Sequence, residues 1–322
     1  MKRALLTGGN GFVASHLARA LLERGDAVTV LELAPRPSSG LGLQGIREQV
    51  ELVEADLRDG ERVGATVAAG RFDVVFHLGA QTLVGPAMAA PTATFETNVR
   101  GTWTLLEACR QAAVPAVVVA SSDKAYGPSE ELPYREDMQL RPASPYEASK
   151  AAADAIALSY PPAYGLPVAV TRFANIYGGG DANFSRLIPE AIAAVLDGRR
   201  PQIRSDGSPE RDFLYVADAV AAYFAVESAV EGGGPGAGHA FNAGGEQPHS
   251  VAEVLETIAE VSGSGLEPEY LGAGNPAGEI DRQYVDSAKL RELTAWAPAV
   301  GLRDGLGRTL DWYREHPELR PE

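Results

Sequence analysis

The chain has 322 residues, 45% hydrophobic and 22% charged, as is typical of a globular protein of about two domains. A net charge of −15 without a long basic run argues against a nucleic-acid or anionic-membrane partner, although a small anionic ligand stays compatible with it. Cys109 is the only cysteine, which excludes an intrachain disulfide, and no apolar run reaches the roughly 18 residues of a membrane span. The N-terminal apolar run is too short for a signal peptide, so we expect a soluble, cytoplasmic protein.

The beginning of the chain predicts a dinucleotide-binding unit. A short apolar strand runs into TGGNGFVASH, and a helix and a second strand follow. Gly8 permits the tight turn, and Gly11 lets the backbone approach a pyrophosphate. The free N–H groups and positive dipole end of the helix favour phosphate binding. Ala14 replaces the usual third glycine, which is a mild departure from the pattern.

Glu32 ends the second predicted strand, where an acidic side chain can bind the 2′-hydroxyl of an adenine ribose. The same carboxylate would repel a 2′-phosphate, and the nearby Arg36 is the one residue that favours NADP. Because Glu32 ends a strand whereas Arg36 lies in the loop PRPSSGLG, the sequence favours NAD. The alternative is an ordinary glycine-rich turn, and the flanking strands and helix argue against it.

Two further strand ends carry polar residues. The predicted strand at 50–53 leads to Asp56-Leu57, and Asp56 is either a turn acid near the adenine or the N-cap of the next helix. The predicted strand at 73–78 ends in HLGAQ, and we interpret His77 as a packed core residue. Asn98 falls inside a predicted long helix at 92–112, where its side chain either points to solvent or bonds a neighbouring loop.

Alternation of strands and helices continues to residue 173 and predicts an α/β fold. The short, apolar strands indicate a Rossmann-type doubly wound parallel sheet with helices on both faces and a smaller mixed α/β C-terminal substrate lobe. We predict an NAD-binding domain at 1–174, rejoined by about 212–245, and a substrate lobe at 175–322. Such sheets bind ligands at the carboxyl ends of their strands, where Glu32, Ala80-Gln81 and Ser122 should meet.

The segments SSDKAYG and SPYEASK bring together residues suited to proton transfer. Ser122, Asp123 and Lys124 follow an apolar strand, and SPYE has the pattern of a capped helix start. On that helix Tyr146 and Lys150 lie one turn apart on one face. A Tyr-x-x-x-Lys pair alone is a weak signal, and a polar loop followed by a surface helix is the alternative.

Arginines are scattered through the later half of the chain. In a protein of net charge −15, arginines in loops that face the strand edge are candidate ligands of a diphosphate, and we include Arg172, Arg186, Arg211 and Arg282. Surface solvation is the alternative for Arg186 and Arg282. The sequence has no metal-ligand spacing, so we expect no metal.

Six segments occur in one order across most of the chain: TGGNGFVASH, the acidic strand end, SSDKAYG, SPYEASK, RFANIYGGGD and RDFLYVAD. Together they resemble the extended short-chain dehydrogenase/reductase family that acts on nucleotide sugars and includes 4-epimerases, 4,6-dehydratases and decarboxylases. The resemblance implies a tightly bound, recycled NAD and a nucleotide-diphosphate sugar as substrate. It also implies that helices at 92–112 and 145–160 form the interface of a homodimer.

The resemblance implies a redox trio of Ser122, Tyr146 and Lys150. Lys150 would hold the nicotinamide ribose and, with the charge of oxidised nicotinamide, lower the pKa of Tyr146. Tyr146 would remove the proton of the sugar 4-hydroxyl that Ser122 orients. The implied cofactor contacts are Gly8, Gly11, Phe12, Val13, Glu32, Asp56, Leu57, Leu78, Ala80, Asn98, Tyr146, Lys150 and Phe173. The implied substrate contacts are Gln81, Thr82, Asn175, Arg186, Arg211 and Arg282, the last as a substitute for an arginine that relatives often carry just before a late Gly-Asp/Glu.

The pair Asp123 and Lys124 indicates the subfamily. Related epimerases usually carry small uncharged residues there, and dTDP-glucose 4,6-dehydratases carry Asp-Glu. The Asp-Lys pair resembles that of CDP-glucose 4,6-dehydratases, and a tunicamycin-type UDP-N-acetylglucosamine 5,6-dehydratase of antibiotic biosynthesis would use the same groups. Asp123 is implied as the acid for the departing 6-hydroxyl, and Lys124 as the group that assists proton removal at carbon 5. Consecutive strand residues point to opposite faces, so both reach the sugar only if the chain has already turned; a solvated turn is the alternative.

We therefore expect an NAD-dependent nucleotide-sugar dehydratase. A nucleotide-sugar 4-epimerase is the first alternative. A non-catalytic dinucleotide-binding sensor is a remote one, because the redox trio is intact. The sequence leaves open the nucleobase, the sugar, and whether the hydride returns to carbon 4 or carbon 6.

Overall fold

The computed structural model describes residues 1–34, 39–272 and 280–321. Its strands are β1 (Arg3–Thr7), β2 (Ala27–Glu32), β3 (Glu51–Glu54), β4 (Val74–His77), β5 (Val117–Ala120), β6 (Val168–Phe173), β7 (Asn175–Tyr177), β8 (Gln202–Ile203), β9 (Glu210–Tyr215), β10 (Ala240–Ala243), β11 (Pro248–Ser250), β12 (Glu269–Tyr270) and β13 (Arg282–Gln283). Its α-helices are α1 (Phe12–Glu23), α2 (Gly40–Leu43), α3 (Gly60–Gly70), α4 (Val84–Ala89), α5 (Pro91–Phe95), α6 (Gly101–Gln111), α7 (Pro145–Tyr164), α8 (Leu187–Leu196), α9 (Val216–Val230), α10 (Val251–Ser262), α11 (Ala288–Thr294) and α12 (Leu302–Glu315).

Among the described residues, seven parallel strands form the large sheet in the order β10-β6-β5-β4-β1-β2-β3. One face packs against α1 and α9 through residues such as Leu17, Phe76 and Tyr223. The other face packs against α3 and α6, whose Val67 and Leu105 belong to a second apolar cluster. The predicted doubly wound α/β fold is therefore confirmed. The strand order reverses between β1 and β4, and such a switch point opens a crevice at the carboxyl ends of these strands.

The chain beyond residue 174 contributes to both parts of the molecule. β10 returns to the large sheet as the edge strand beside β6, and α9 packs against the same sheet. β9 instead pairs with β7, β11 and β13 in a smaller sheet, and β8 pairs with β12. An apolar cluster of α8, α10 and α12, which includes Ile192, Leu255 and Leu306, packs beside this smaller sheet. The predicted domain limits remain a prediction.

The predicted helix at 92–112 contains a π-helical turn. α5 leads into π-helix at Glu96–Arg100 and then into α6 without a break in the helical course. Such turns are frequent at functional sites because they displace one residue from the regular ladder, and Asn98 lies within this one. None of the helices in the described ranges combines the length and apolarity of a membrane span.

Candidate active site

A cavity of about 920 Å³ lies where the carboxyl ends of the large sheet face the smaller lobe. Its lining draws on both parts of the chain. Of the residues predicted for the site, it includes Gly8, Gly11, Phe12, Val13, Leu78, Thr82, Ser122, Asp123, Lys124, Tyr146, Lys150, Phe173, Asn175, Arg186 and Arg211.

The glycine-rich turn between β1 and α1 suits a pyrophosphate. Gly8 has a φ of +78°, and a Cβ on it would lie 2.7 Å from the Cα of Gly79, so a side chain is excluded twice over. α1 begins at Phe12 directly after Gly11, and no side chain caps it. Its first backbone N–H groups therefore remain for an anion, which is the property that a dinucleotide requires.

Glu32 stands beside this turn at the end of β2. One carboxylate oxygen accepts a hydrogen bond from the backbone N–H of Asn10 at 3.1 Å, and the other accepts one from Leu33 at 2.8 Å. These bonds hold an acidic group next to the pyrophosphate cradle, where it fits an adenine ribose with a free 2′-hydroxyl. Arg36, the residue that favours NADP, lies outside the described residues.

The turn after β3 corrects one alternative. The N-cap of α3 is Asp59, whose carboxylate accepts from the N–H of Arg62 at 3.0 Å, so an N-cap role for Asp56 is wrong. Asp56 instead pairs with Arg58 at 2.6 Å, and this guanidinium holds the pKa of the carboxyl below its ordinary value. Leu57 is buried in the core. Contact of Asp56 with the adenine stays a prediction.

Asn98 bonds a neighbouring loop, one of its two predicted alternatives. Its side chain accepts from the N–H of Gln81 at 2.7 Å and donates to the carbonyl of Gln81 and to the hydroxyl of Ser149, each at 2.9 Å. Asn98 thus ties the loop after β4 to α7 from a buried position. The Gln81 amide bonds the backbone of Leu83. Neither Ala80, Gln81 nor Asn98 belongs to the cavity lining.

His77 is a core residue, as the sequence predicted. Its two ring nitrogens lie 2.8 Å from the Thr7 hydroxyl and 3.0 Å from the Thr102 hydroxyl. Burial lowers the pKa of His77 to about 3, which keeps the ring neutral.

The chain leaves the strand before Asp123 and Lys124, which is the condition for both side chains to reach the sugar. β5 ends at Ala120, and residues Asp123–Tyr126 form a 3₁₀-helix capped by Ser122, whose hydroxyl accepts from the N–H of Lys124 at 3.2 Å. The opposite orientation of neighbouring strand residues therefore does not apply. Both Asp123 and Lys124 face the cavity from one short turn.

Asp123 has the surroundings of an acid. Only 2% of the residue is exposed, and the Ser122 hydroxyl donates to its Oδ1 at 3.1 Å. Its Oδ2 is buried without a hydrogen-bond partner among the described residues. Burial raises the pKa of Asp123 against the opposing effects of Lys124 and the Ser122 hydroxyl. A carboxyl in this environment retains its proton more readily and can donate it.

Tyr146 and Lys150 face the cavity from α7. The predicted capping box is present at the helix start, with Ser144 and Glu147 each bonding the other's backbone N–H. Lys150 is buried and its Nζ donates to the carbonyl of Ala120 at 2.8 Å, which joins α7 to β5. Burial lowers the pKa of Lys150 to about 8, so the ammonium form prevails at neutral pH.

The protein's own groups raise the pKa of Tyr146, and its lowering by Lys150 together with oxidised nicotinamide stays a prediction. Burial raises this pKa to about 12, and this effect exceeds the opposing hydrogen bond of Ser122 and the charge of Arg186. The protein's own groups therefore do not lower the pKa of this phenol, because desolvation penalises the phenolate more than these groups stabilise it.

Two of the predicted arginine ligands line the cavity and two do not. Arg186 and Arg211 line the cavity, and Arg186 also pairs with Asp181 at 2.8 Å. Arg282 does not line the cavity and forms an exposed ion pair with Glu210 at 2.8 Å. We therefore leave Arg282 out of the site.

Arg172 is a predicted diphosphate ligand, but the structure buries it. Two of its nitrogens donate to the Asp154 carboxylate at 2.7 and 2.9 Å, and another donates to the hydroxyl of Tyr126 at 3.0 Å. Arg172 thus bonds Tyr126, the last residue of the 3₁₀-turn, and its charge is not available to a ligand.

Several residues line the cavity that the sequence patterns do not predict. Tyr223 of α9 and Asp181 line the cavity, as do Gln202 and Arg204 around β8. Asp181 ends the GGGD segment and could have been singled out as an acid after a glycine-rich loop. Tyr223 lies in an apolar helix, and no local signal marks it. Groups of His, Cys, Asp and Glu that could hold a metal ion are absent from the described ranges.

The chain is similar to known proteins along nearly its whole length. A model of the NAD dependent epimerase/dehydratase family matches residues 4–244. A dTDP-glucose 4,6-dehydratase of Streptomyces griseus is 35% identical, with 97% of this chain and 94% of that protein covered. A UDP-glucose 4-epimerase of Mycolicibacterium smegmatis is also 35% identical, covering 97% and 98%. The solved structure of a Streptomyces venezuelae dTDP-glucose 4,6-dehydratase with NAD bound has a TM-score of 0.86 and 30% identity, covering 98% of each chain.

Proposed function

Because the chain belongs to the NAD-dependent epimerase/dehydratase family, within the extended short-chain dehydrogenases/reductases, we propose that it is a nucleotide-sugar dehydratase. The observation that carries this proposal is the turn that presents both Asp123 and Lys124 to the cavity. An epimerase needs only a redox trio and space for the sugar to turn. A dehydratase needs an additional acid and base, and this pair supplies groups of both kinds.

The cofactor is NAD, as expected from the sequence. Gly8, Gly11 and the first turn of α1 would hold its pyrophosphate, and Glu32 its adenine ribose. Bound NAD would supply the hydride acceptor for oxidation at carbon 4, the hydride for the later reduction, and a positive charge that favours the Tyr146 phenolate.

Tyr146, Ser122 and Lys150 would serve the oxidation at carbon 4. Tyr146 removes the proton of the 4-hydroxyl, and the Ser122 hydroxyl orients that group. Lys150, charged at neutral pH, bonds the Ala120 carbonyl at 2.8 Å and is thereby fixed in place between α7 and the end of β5. This placement fits a residue that holds the nicotinamide ribose.

Asp123 and Lys124 would then eliminate water. The ketone at carbon 4 acidifies the proton on carbon 5, so a modest base is sufficient. The amine nitrogen of Lys124 takes this proton, and the electrons of the C5–H bond form the double bond to carbon 6. The C6–O bond breaks as Asp123 donates its proton to the departing hydroxyl, which leaves as water. Burial of Asp123 favours this role because it holds the acid in its protonated form.

A nucleotide-sugar 4-epimerase is the second candidate. An epimerase and a dehydratase relative are both 35% identical to the chain, so overall similarity does not separate the two functions. The chemical difference is the loss of water, which an epimerase does not catalyse. The intact trio of Ser122, Tyr146 and Lys150 argues against a non-catalytic sensor.

The test uses UDP-N-acetylglucosamine, UDP-glucose, CDP-glucose and dTDP-glucose as substrates in deuterated water. Product masses and proton spectra are then recorded. Loss of water supports the proposal, and the product identifies where the hydride returns: vinyl protons mark a 5,6-alkene, and a deuterated 6-deoxy-4-keto sugar marks 4,6-dehydration. A 4-epimer formed without loss of water contradicts it.

We also propose a homodimer, in the cytoplasm. Large apolar side chains are exposed on and just before the helices predicted to form the interface, at Met88, Phe95 and Trp103; Leu83 and Val84 are exposed as well but line the active-site cavity. Exposed large apolar side chains on such helices fit a surface that a partner covers. Trp103→Glu should give a monomer in sedimentation analysis. The control Leu293→Glu, at an exposed apolar residue of α11, should leave the wild-type mass; a monomeric wild-type protein would refute the dimer.

A further inference from the structure

A buried amide from the C-terminal part of the chain contacts Lys124 in the 3₁₀-turn Asp123–Tyr126. Gln283 lies in β13, is 1% exposed, and accepts a hydrogen bond from the Nζ of Lys124 at 3.4 Å through its Oε1. The two residues are 159 positions apart in the sequence. Lys124 forms no ion pair with a carboxylate among the described residues, so its partner is this uncharged amide.

The backbone fixes the position of Gln283 from two sides. β13 runs parallel to β9 with Gln283 in register with Arg211, and paired residues of adjacent strands project from the same face. Since Arg211 lines the cavity, Gln283 projects towards the same side. On the other side, the N–H of Tyr134 donates to the Tyr284 carbonyl at 2.9 Å. The backbone that carries the amide is therefore held between β9 and the segment at Tyr134.

The other end of the amide is unusual for a purely structural residue. Its Nε2 is buried and has no hydrogen-bond partner among the described residues. Buried amides in protein cores normally bond at both ends, because an unpaired donor loses its bonds to water. An apolar side chain of the same length would fill this space equally well. The polar group is therefore explained by its hydrogen bond with Lys124 and not by packing.

We infer that Gln283 is a positioning residue that orients the Lys124 amine for proton removal at carbon 5, an inference that rests on the proposed dehydratase function. As a hydrogen-bond acceptor, the amide directs one N–H of Lys124 away from the sugar and leaves the lone pair of the amine for the C5 proton. As an uncharged group, it does not stabilise the ammonium form in the way that a carboxylate would. Gln283 itself does not line the cavity.

The test compares Gln283→Met, Gln283→Glu and the wild type in single turnovers. We expect Gln283→Met to slow water loss by about ten- to a hundredfold, the usual effect of a lost hydrogen bond to a charged or reacting group. Gln283→Glu is nearly isosteric, and it should also slow water loss because its carboxylate holds Lys124 as ammonium. Oxidation at carbon 4, followed by the near-ultraviolet absorbance of the reduced cofactor, should proceed at the wild-type rate in both variants.

A double-mutant cycle separates positioning from general disturbance. The double variant Lys124→Met/Gln283→Met should lose water at the same residual rate as Lys124→Met alone, since Gln283 acts through Lys124. An equal slowing in that background, or an equal slowing of oxidation, would overturn the inference, as would normal water loss in Gln283→Met. Bound NAD and the urea midpoint of each variant report on folding. If the wild type itself loses no water, the dehydratase function fails; if it does and Gln283→Met matches it, only the positioning role fails.

Discussion

Asp123→Asn tests whether burial makes this carboxyl an acid. Burial raises the pKa of Asp123 above the ordinary 3.8. Between 3.8 and this raised pKa, the carboxyl binds more protons in the folded protein than in the unfolded chain. The stability that the protonated form contributes is present below the unfolded pKa and is lost as pH rises through the folded pKa. Asparagine is uncharged at every pH and avoids this loss. The variant should therefore unfold at a higher urea concentration than the wild type at neutral pH, and the difference should narrow as the pH falls towards 3.8.

The same substitution should remove the acid without removing the shape. The asparagine oxygen can still accept from the Ser122 hydroxyl, as Oδ1 of Asp123 does at 3.1 Å. Loss of a positioned general acid usually costs about 10²- to 10⁴-fold in rate, or about 3–5 kcal/mol of barrier. Oxidation at carbon 4 uses other groups and should change little.

The assay is single-turnover water loss measured by mass spectrometry, together with urea unfolding across the pH range. Asp59→Asn is the matched control, because Asp59 caps α3 away from the cavity and asparagine caps a helix as well as aspartate does. It should leave both measurements near the wild type. Normal water loss by Asp123→Asn, or lower stability than the wild type at neutral pH, would refute the reasoning.

Three further substitutions test other contacts. Lys124→Met should reduce water loss by about 10²- to 10⁴-fold while carbon 4 is still oxidised, which is seen as reduced cofactor without dehydrated product. Asp154→Ala leaves the buried guanidinium of Arg172 unpaired, so urea titration should give a free energy of unfolding lower by about 3–5 kcal/mol, whereas a loss below about 1 kcal/mol would contradict the pairing. Lys150→Met should stabilise the NAD-free protein at pH 7, because burial lowers the lysine pKa from 10.5 to about 8, equivalent to about 3 kcal/mol. The wild type should gain stability as the pH rises from about 8 to 10.5, since the unfolded chain then binds more protons, and the variant should lack this gain.

Local sequence was sufficient for much of the site because its signals depend on neighbouring residues. The turn at Gly8 and the placement of Tyr146 and Lys150 on one helix face follow from backbone geometry within a few residues. Alternating apolar segments likewise determined the doubly wound sheet, and strand direction then determined which edge carries the polar residues.

Charged side chains were harder to place because their burial depends on distant partners. Arg172, Arg186 and Arg282 were all candidate diphosphate ligands by sequence, yet Arg172 is buried against Asp154 and Arg282 is paired at the surface. No pattern within a few residues distinguishes a guanidinium that meets a buried carboxylate from one that faces a cavity.

The sequence by itself determined that the chain binds a dinucleotide and carries a Ser, Tyr and Lys suited to redox chemistry. Only the tertiary structure decided that Asp123 and Lys124 both face the cavity, because a capped 3₁₀-turn replaces the strand at that point. It also decided that Lys124 meets Gln283, 159 residues away, through the pairing of β13 with β9. The physical reason is that turn geometry and burial depend on packing between segments that are remote in the chain.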